Sequence, residues 1–413
     1  MFTFIYYQST KNKPFLTFDI KNKSNISTNY RKSGRNIYLY GMLFNDVVGH
    51  GSLKKNFIQE VQDDRVSHAQ LFLGKTGFGS FPLAMAFVQY LLCDNRTETD
   101  SCGECAKCNN VAKMQHPDVH FSFPTVQAEA KTSDEQFTLW RDMILENPYA
   151  SLNQWINVSD PKGRKPIISK HQSEQIVKKL SLKSFEGKHK ISLIWMADEM
   201  NTVCANKLLK IIEEPPKDTV FILIAESQEK VLPTILSRTQ LVKVKQLDDQ
   251  TILQALKEKK GVTGEIAKSI VSRSEGSLSN AFEMISSQGS ESLNRERFIE
   301  LMRVCYKKQV LPMMSWAEEM AKLGREDQKH FLRYSLYMVR QSLMKNYTED
   351  KLLRASPEEV DFLSKFSRFI TGNNVLDFTS LFNDSHYNVE RNAHAKMLFT
   401  NITFEVMRYI HKA

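Results

Sequence analysis

A short apolar segment runs into a glycine-rich turn and then into an apolar helical stretch in the first quarter of the chain. Residues 70–73 are the apolar segment, residues 74–81 read GKTGFGSF, and residues 83–92 have the apolar character of a buried helix. A strand that enters a helix through such a turn begins a parallel α/β unit, because parallel strands need crossover connections. For this part of the chain the pattern excludes all-helical and all-β folds.

The turn has the glycine spacing of a phosphate-binding loop but lacks the side chains that carry its chemistry. Ser80 stands where a lysine would contact the outer phosphates, and Phe81 stands where a Ser or Thr would hold magnesium. Lys75 lies five positions too early to substitute for that lysine. We therefore predict a turn that binds no nucleotide, with passive nucleotide binding as the alternative. Three glycines would let backbone N–H groups approach a phosphate: Gly74, Gly77 and Gly79.

Four of the six cysteines lie within sixteen residues, in the pattern C-x8-C-x2-C-x2-C. They are Cys93, Cys102, Cys105 and Cys108. Two-residue gaps direct successive thiolates towards one centre, and four thiolates form a closed, structural zinc site because no position remains for water. Disulfides do not suit a chain without an export signal, and an iron–sulfur cluster is the remaining alternative. Cys204 and Cys305 stand alone and are expected to be buried small hydrophobic residues.

Further apolar segments continue an alternating strand and helix pattern. Residues 191–196 and 220–225 are predicted core strands, and residues 119–123 form a weaker candidate. Continuous apolar runs of this kind are typical of parallel strands that are buried on both faces. Strands that alternate with helical stretches predict an α/β domain. Between 125 and 166 lies a long polar insertion with aromatic residues, which we expect to be either a local helical elaboration or a surface loop.

The cysteine cluster directly after the loop helix is followed by three more features in order. These are the run ANKLLKIIEEPP at 205–216, the run LPTILSRT at 232–239 and a helical C-terminal third. Together they resemble the clamp-loader subunits of bacterial DNA polymerase III, within the AAA+ class. The resemblance implies an α/β P-loop (AAA+) domain with a parallel sheet at 42–245, a small helical lid domain at 246–290 and an all-α collar domain at 291–413.

Within this family, ATP-handling residues separate the gamma/tau motor subunits from the delta-prime type. On the family's register, the metal-binding aspartate and its neighbouring glutamate fall on Trp195 and Met196. Asp198 and Glu199 then become helix-start residues, where the helix dipole favours carboxylates. The sensor arginine of the second domain falls on Ser279. Because the loop lysine is missing too, the resemblance implies delta-prime, an ATPase-inactive subunit of the DNA polymerase III holoenzyme.

The resemblance also implies one functional arginine and a set of partners. In the family, the arginine that corresponds to Arg238 reaches the ATP site of a neighbouring motor subunit and stabilises phosphate charge there. This sequence departs from the family at the next position, where Thr239 replaces a cysteine. The alternative is that Arg238 pairs with a local carboxylate. The implied partners are gamma/tau, the delta subunit and, through the complex, the sliding clamp and primed DNA. Zinc is the one cofactor expected.

The net charge of +9 is concentrated at the N-terminus. Residues 1–41 carry seven basic residues and one acidic residue, so +6 lies there and +3 remains for the rest (9 − 6). The nearly balanced charge of residues 42–413 argues against a protein whose main role is to bind nucleic-acid phosphates. We interpret 1–41 as a non-native or disordered extension, with Met42 as the expected start. No apolar run approaches the ~20 residues that cross a bilayer, so a soluble cytoplasmic protein is expected.

Two function classes compete with this interpretation. One is a working AAA+ ATPase in which Asp198 and Glu199 act on magnesium and water and the altered loop still binds ATP. The other is a zinc-dependent DNA-binding module, which would need salt-dependent DNA affinity by the chain alone. The small charge outside residues 1–41 argues against the second class.

Overall fold

A computed structural model describes residues 43–412, apart from 161, 163, 187–188, 287–290, 349–352 and 354. The interpretation of residues 1–41 lies outside the described residues. The strands are β1 (Ala69–Leu73), β2 (Val119–Ser122), β3 (Lys190–Ile194), β4 (Thr219–Ala225) and β5 (Gln240–Lys243). The helices are α1 (Gly51–Gln62), α2 (Ser80–Leu92), α3 (Ala106–Ala112), α4 (Phe137–Glu146), α5 (Leu152–Ser159), α6 (Lys170–Ser181), α7 (Thr202–Glu213), α8 (Pro233–Leu236), α9 (Asp249–Lys260), α10 (Gly264–Arg273), α11 (Leu278–Ser286), α12 (Glu291–Tyr306), α13 (Val310–Lys322), α14 (Arg325–Tyr347), α15 (Pro357–Phe366), α16 (Val375–Glu390) and α17 (Ala395–Ile410).

The five described strands are parallel and form one sheet in the order β2-β3-β4-β1-β5. The four strands expected from the sequence are confirmed, with ends shifted by one or two residues. Strand β5 was not predicted. It lies at the edge of the sheet and buries only Val242 of its four residues, so it lacks the continuous apolar run that marks a central strand.

Helices cover both faces of the sheet. On one face α1, α2 and α4 pack their aromatic side chains around Phe72 and Trp195, and Trp140 of α4 is fully buried there. On the other face α6 and α7 pack on β3 and β4 through side chains such as Leu208 and Leu223. Every residue of β3 and β4 is buried, and this two-sided burial explains why β4 is apolar at six of its seven positions.

The long insertion at 125–166 is a helical elaboration, and the surface-loop alternative is wrong. It contains α4 and α5, and both Trp140 and Trp155 have no exposed surface. The Trp155 indole donates its Nε1–H to the Pro124 carbonyl oxygen at 2.7 Å, so its one polar atom is satisfied in the core. The insertion therefore extends the hydrophobic core beside β2 and β3.

The remaining helices form two further cores, as expected for a helical lid and a helical collar. Helices α9, α10 and α11 bury their own apolar faces together. Helices α12 to α17 enclose a larger core with Trp316 and Phe331 near its centre. Ion pairs cross between the two groups, including Arg333 with Glu283 at 3.0 Å. Because residues 40–413 form one compact unit, the domain boundaries at 245 and 290 stay predictions. Within the described residues, no helix is both long and apolar enough to cross a membrane.

Candidate phosphate loop and cysteine centre

The glycine-rich turn joins the carboxyl end of β1 to the first residue of α2. Strand β1 lies between β4 and the edge strand β5, so the turn sits at the sheet's carboxyl edge, one strand in from β5. The helix begins at Ser80, three residues earlier than residues 83–92 would suggest, and Gly79 caps it with a φ of 101°. Glycine adopts this φ without the steric cost that other residues would meet. The backbone course is that of a phosphate-binding loop.

The space above this loop is filled by side chains. The cavity that remains has a volume of about 30 Å³, and Phe81, Tyr149, Trp195 and Met196 all line it. Phe81 is buried with its ring centroid 5.9 Å from that of Trp140. Pockets for ligands of nucleotide size measure roughly 300 Å³ or more, whereas this cavity has room for water molecules alone. Trp195 and Met196 therefore occupy, with Phe81, the volume that a nucleotide would need.

The loop glycines are also in contact with the small helical group of α9 to α11. The Ser277 hydroxyl donates to the Thr76 carbonyl oxygen at 2.9 Å, and the Leu278 N–H donates to the Gly77 carbonyl oxygen at 2.9 Å. A Cβ at Gly77 would overlap Ser277 Oγ and lie 2.8 Å from the Ser279 nitrogen. In this fold Gly77 thus permits close approach of another helix, a role that the sequence pattern did not reveal.

Ser279, the residue at the predicted sensor position, faces this same contact. It is 1% exposed, and its hydroxyl oxygen has no hydrogen-bond partner in the part of the chain that the structure describes. Ser80 is buried in the same way, and its Oγ likewise has no partner among the described residues. The two positions that would carry cations in an ATP site therefore hold short neutral side chains beside the loop.

Asp198 and Glu199 are helix-start residues, as predicted, but of a short 3-10 helix and not of α7. They lie in a separate 3-10 turn, Ala197–Glu199, and α7 begins only at Thr202. Both are buried. Burial raises the pKa of Asp198, whose Oδ2 accepts the Ser227 N–H at 3.2 Å. The turn places the carboxylates where the chain leaves β3.

Two lysines neutralise Glu199 in this turn. Its Oε1 lies 3.2 Å from the Lys230 ammonium, and its Oε2 lies 2.9 Å from that of Lys165. Both partners come from outside the turn, so Glu199 joins the insertion at 125–166 to the segment that follows β4. A carboxylate held between two ammonium groups is a structural ion pair rather than an open magnesium ligand.

Glu226 is a residue that sequence reasoning missed. It follows β4 directly, lines the small cavity and accepts a hydrogen bond from the Thr76 hydroxyl in the glycine-rich loop. Burial, reinforced by the nearby charge of Asp198, raises the pKa of Glu226 to about 7. Its position at the carboxyl end of a central parallel strand, beside the loop, was the signal that could have identified it.

The four clustered cysteines come together at the start of α3. Their sulfur atoms all lie within 4.8 Å of one another, with Cys93 Sγ 3.5 Å from Cys102 Sγ and Cys102 Sγ 3.9 Å from Cys108 Sγ. A tetrahedral centre with zinc–sulfur bonds of about 2.3 Å has sulfur atoms about 3.8 Å apart. The donor set therefore fits a closed four-thiolate metal site. Among the described residues, no other His, Cys, Asp and Glu group has this arrangement.

Backbone N–H groups surround the cysteine centre. The N–H of Cys105 lies 3.4 Å from Cys102 Sγ, and the N–H of Cys108 lies 3.4 Å from Cys105 Sγ. The N–H groups of Cys105 and Glu104 lower the pKa of the Cys102 thiol to about 6, whereas burial raises the pKa values of Cys93 and Cys108. Oriented N–H groups favour thiolates, which are the form that binds metal.

The two isolated cysteines are buried, as predicted. Cys204 and Cys305 have no exposed surface. Burial raises the pKa of Cys204 to about 11 and that of Cys305 to about 12, so both remain neutral thiols at physiological pH. Neither lies within the sulfur cluster, and they behave as small core side chains.

Arg238 lies in the turn between α8 and β5 and pairs with Glu213, the last residue of α7. The Arg238 Nε–H donates to Glu213 Oε2 at 2.7 Å, and Nη1 donates to the Thr234 carbonyl oxygen at 3.1 Å. The alternative of a local carboxylate partner is thus realised in this chain. The pair is partly exposed to solvent, with 32% of the Arg238 side chain accessible.

The fold and its loop define the class: an α/β domain with a P-loop-like turn at the carboxyl edge of a parallel sheet, followed by helical domains. Residues 49–248 match the family model described as DNA polymerase III, delta subunit. DNA polymerase III subunit delta′ of Bacillus subtilis is 28% identical over 204 residues, which are 49% of this chain and 50% of that protein. The delta′ subunit of Pseudomonas aeruginosa is 31% identical over 172 residues, which are 42% of this chain and 41% of that protein.

DNA polymerase III subunit gamma of Buchnera aphidicola is 26% identical over 280 residues, covering 66% of this chain and 65% of that protein. The chain thus spans about half the length of the two delta′ relatives, at 50% and 41%. These findings confirm the resemblance to the delta-prime subunit of the bacterial DNA polymerase III clamp loader.

Proposed function

We propose that this chain acts as a delta-prime subunit of a DNA polymerase III clamp loader in the bacterial cytoplasm. It has no ATPase activity of its own and helps the complex place the sliding clamp on primed DNA. The family match and the delta′ relatives support the choice of complex. The observation that carries the missing ATPase activity is the cavity of about 30 Å³ above the glycine-rich loop.

Zinc is the proposed cofactor, and its role is structural. Cys93, Cys102, Cys105 and Cys108 would hold it, because their sulfur spacing suits a tetrahedral thiolate site. When bound, the metal supplies a cross-link between the end of α2 and the start of α3. The centre is also joined to the N-terminal part of the domain, because Asp100 accepts the N–H groups of Phe44 and Asn45 at 3.0 Å.

Arg238 is proposed to act on the ATP of a neighbouring gamma/tau subunit. Its guanidinium is partly exposed and lies beside the edge strand β5. An arginine supplied to a neighbour's phosphates stabilises charge that develops during phosphoryl transfer, and such a residue is worth about 10³–10⁵ in turnover. The other partners in this proposal are the delta subunit, the sliding clamp and primed DNA.

The test is ATP hydrolysis by the reconstituted loader with clamp and primed DNA. We compare the wild type with Arg238→Ala, and use Arg65→Ala as a control because Arg65 is an exposed arginine far from β5 in sequence. The expected result is a large loss of turnover for Arg238→Ala with the complex still assembled by gel filtration. Unchanged turnover would contradict the role of Arg238, and ATP hydrolysis by the isolated chain would contradict the inactive subunit.

A further inference from the structure

The ion pair between Arg238 and Glu213 joins two segments that are anchored in the same core. Ile212 precedes Glu213 in α7, and Ile235 precedes Arg238 by three residues; both isoleucines are buried in the core beneath the sheet. The Arg238 N–H donates to the Ile235 carbonyl oxygen at 3.0 Å, which fixes the turn. The two backbones are therefore held in place before the side chains meet.

Glu213 is badly placed for the stability of its own helix. It is the last residue of α7, where the negative end of the helix dipole disfavours a carboxylate. A pair with 56% and 32% of its side chains exposed also adds little to the stability of a fold. Neither the helix nor the fold explains an acid at this position, whereas its contact with Arg238 does.

The contact orients the guanidinium group of Arg238. Glu213 accepts from Nε, and the Thr234 carbonyl and the Ser237 hydroxyl accept from Nη1 at 3.1 and 3.4 Å. Nη2 has no hydrogen-bond partner among the residues that the structure describes. This chain thus holds two nitrogens of the planar group, Nε and Nη1, and Nη2 is left to donate to an anionic group from elsewhere.

We propose that Glu213 is the positioning residue for Arg238: it holds the arginine in the rotamer that presents Nη2 to the phosphates of a neighbouring subunit. This inference rests on the proposed function of Arg238. A long side chain that is free in solution populates many rotamers, and orienting it in advance removes that entropic cost from the reaction. Glu213 itself does not touch the reacting atoms.

The experiment places Glu213→Ala, Glu213→Gln and Glu214→Ala in the reconstituted loader and measures kcat and KM for ATP with clamp and primed DNA. Glu214 is the matched control, because it is the adjacent exposed carboxylate. We expect Glu213→Ala to lower kcat by roughly tenfold, since small misplacements of a catalytic group are costly. Glu213→Gln keeps an oxygen acceptor for Nε and should retain most of the turnover.

The same three variants are then made in the Arg238→Ala background. There Glu213→Ala should have no further effect on kcat, because the group that it positions is gone. Melting temperature and gel filtration of each complex separate a loss of turnover from a loss of folding or assembly.

The outcomes distinguish this inference from the proposed function. If Arg238→Ala lowers kcat but Glu213→Ala behaves like Glu214→Ala, the positioning role is overturned and the role of Arg238 stands. Faster turnover by Glu213→Ala would overturn it too, since the pair would then restrain the arginine. If Arg238→Ala leaves kcat unchanged, both proposals fail together.

Discussion

The cysteine centre and the glycine-rich loop lie at opposite ends of α2. The first has the donor atoms that a ligand needs, whereas the second has lost the space for one. At the end of α2, four sulfur atoms within 4.8 Å of one another form a complete ligand set. At its beginning, the loop keeps the backbone of a phosphate site while Phe81, Trp195 and Met196 fill its volume. One helix therefore connects a site built for a ligand with a site that side chains occupy.

The difference shows that backbone geometry and ligand binding can be separated within one domain. Gly77 of the loop remains necessary because it allows the segment 276–279 to approach, as the hydrogen bond from Leu278 to Gly77 shows. The spacing of the four cysteine sulfur atoms fits a four-thiolate metal site instead. A sequence motif is thus evidence for a fold. Whether the site can bind its ligand depends on whether side chains fill the space that the ligand would need.

The largest effect is expected at the cysteine centre. Cys108→Ala should lower the free energy of unfolding by at least about 5 kcal/mol, since structural zinc is worth about 10–16 kcal/mol in small domains. Urea unfolding and zinc content measured on the same samples test this. Cys204→Ala is the control, a buried cysteine outside the centre. Wild-type protein that contains no metal, or a Cys108→Ala variant of unchanged stability, would contradict the contrast between a metal-binding cysteine centre and a filled loop.

Removing the side chain that fills the loop should have the next largest effect. Phe81→Ala should cost about 3–5 kcal/mol, because it leaves a cavity against Trp140. The space opened is too small for a nucleotide, so a fluorescent ATP analogue should still not bind. Phe185→Ala, which alters a ring that is 82% exposed, should change stability by less than about 0.5 kcal/mol. Nucleotide binding by the wild type would mean that the loop is a working site, and binding by Phe81→Ala alone would mean that Phe81 by itself blocks it.

The contact between the loop and the segment 276–279 can be tested with two glycines. Gly77 and Gly261 both have positive φ, at 83° and 68°, but only a Cβ at Gly77 would meet neighbouring atoms. Gly261→Ala should cost about 1 kcal/mol for its backbone conformation alone. Gly77→Ala should cost about 2–3 kcal/mol in total, because the steric overlap adds to that strain. Hydrogen exchange at the Leu278 amide should accelerate in Gly77→Ala, and equal effects of the two substitutions would exclude the contact.

The smallest effect concerns the pH dependence of stability at Glu226. Its folded pKa of about 7 lies above the ordinary value of 4.5, so the folded state binds the proton more tightly than the unfolded state does. Stability from this group is therefore fully present below pH 4.5 and is lost as pH rises through 7. Glu226→Gln should remove this loss, so the variant's free energy of unfolding, relative to that of the wild type, should be higher at pH 8 than at pH 5. Glu229→Gln, at an exposed carboxylate that follows β4, is the control.

Much of the fold was predictable because its signals are local. Strands β1, β3 and β4 are mostly apolar, and the helices that follow them begin after polar or glycine-rich turns. Strand β5 was not predicted, because an edge strand does not need a continuous apolar run. The insertion at 125–166 could be narrowed only to two alternatives, since the burial of Trp140 and Trp155 depends on the rest of the domain.

The site residues that could be predicted are also those that depend on local sequence spacing. Sequence spacing identified the four cysteines and the missing lysine, because ligands two residues apart are brought together by local chain geometry alone. It did not identify Glu226, whose contact with Thr76 joins residues 150 positions apart. It also left two alternatives for Arg238, and the pair with Glu213 is a contact between separate elements of the fold.

The sequence by itself determined the α/β alternation, the four-thiolate ligand set and the absence of a lysine and a hydroxyl residue at the end of the loop. Each of these depends on residue type and on short spacing along the chain. Only the tertiary structure decided that Trp195, Met196 and Tyr149 fill the loop's cavity and that Ser277 meets its backbone. These contacts join residues about 70 to 200 positions apart, and close packing of the whole domain selects them rather than any local preference.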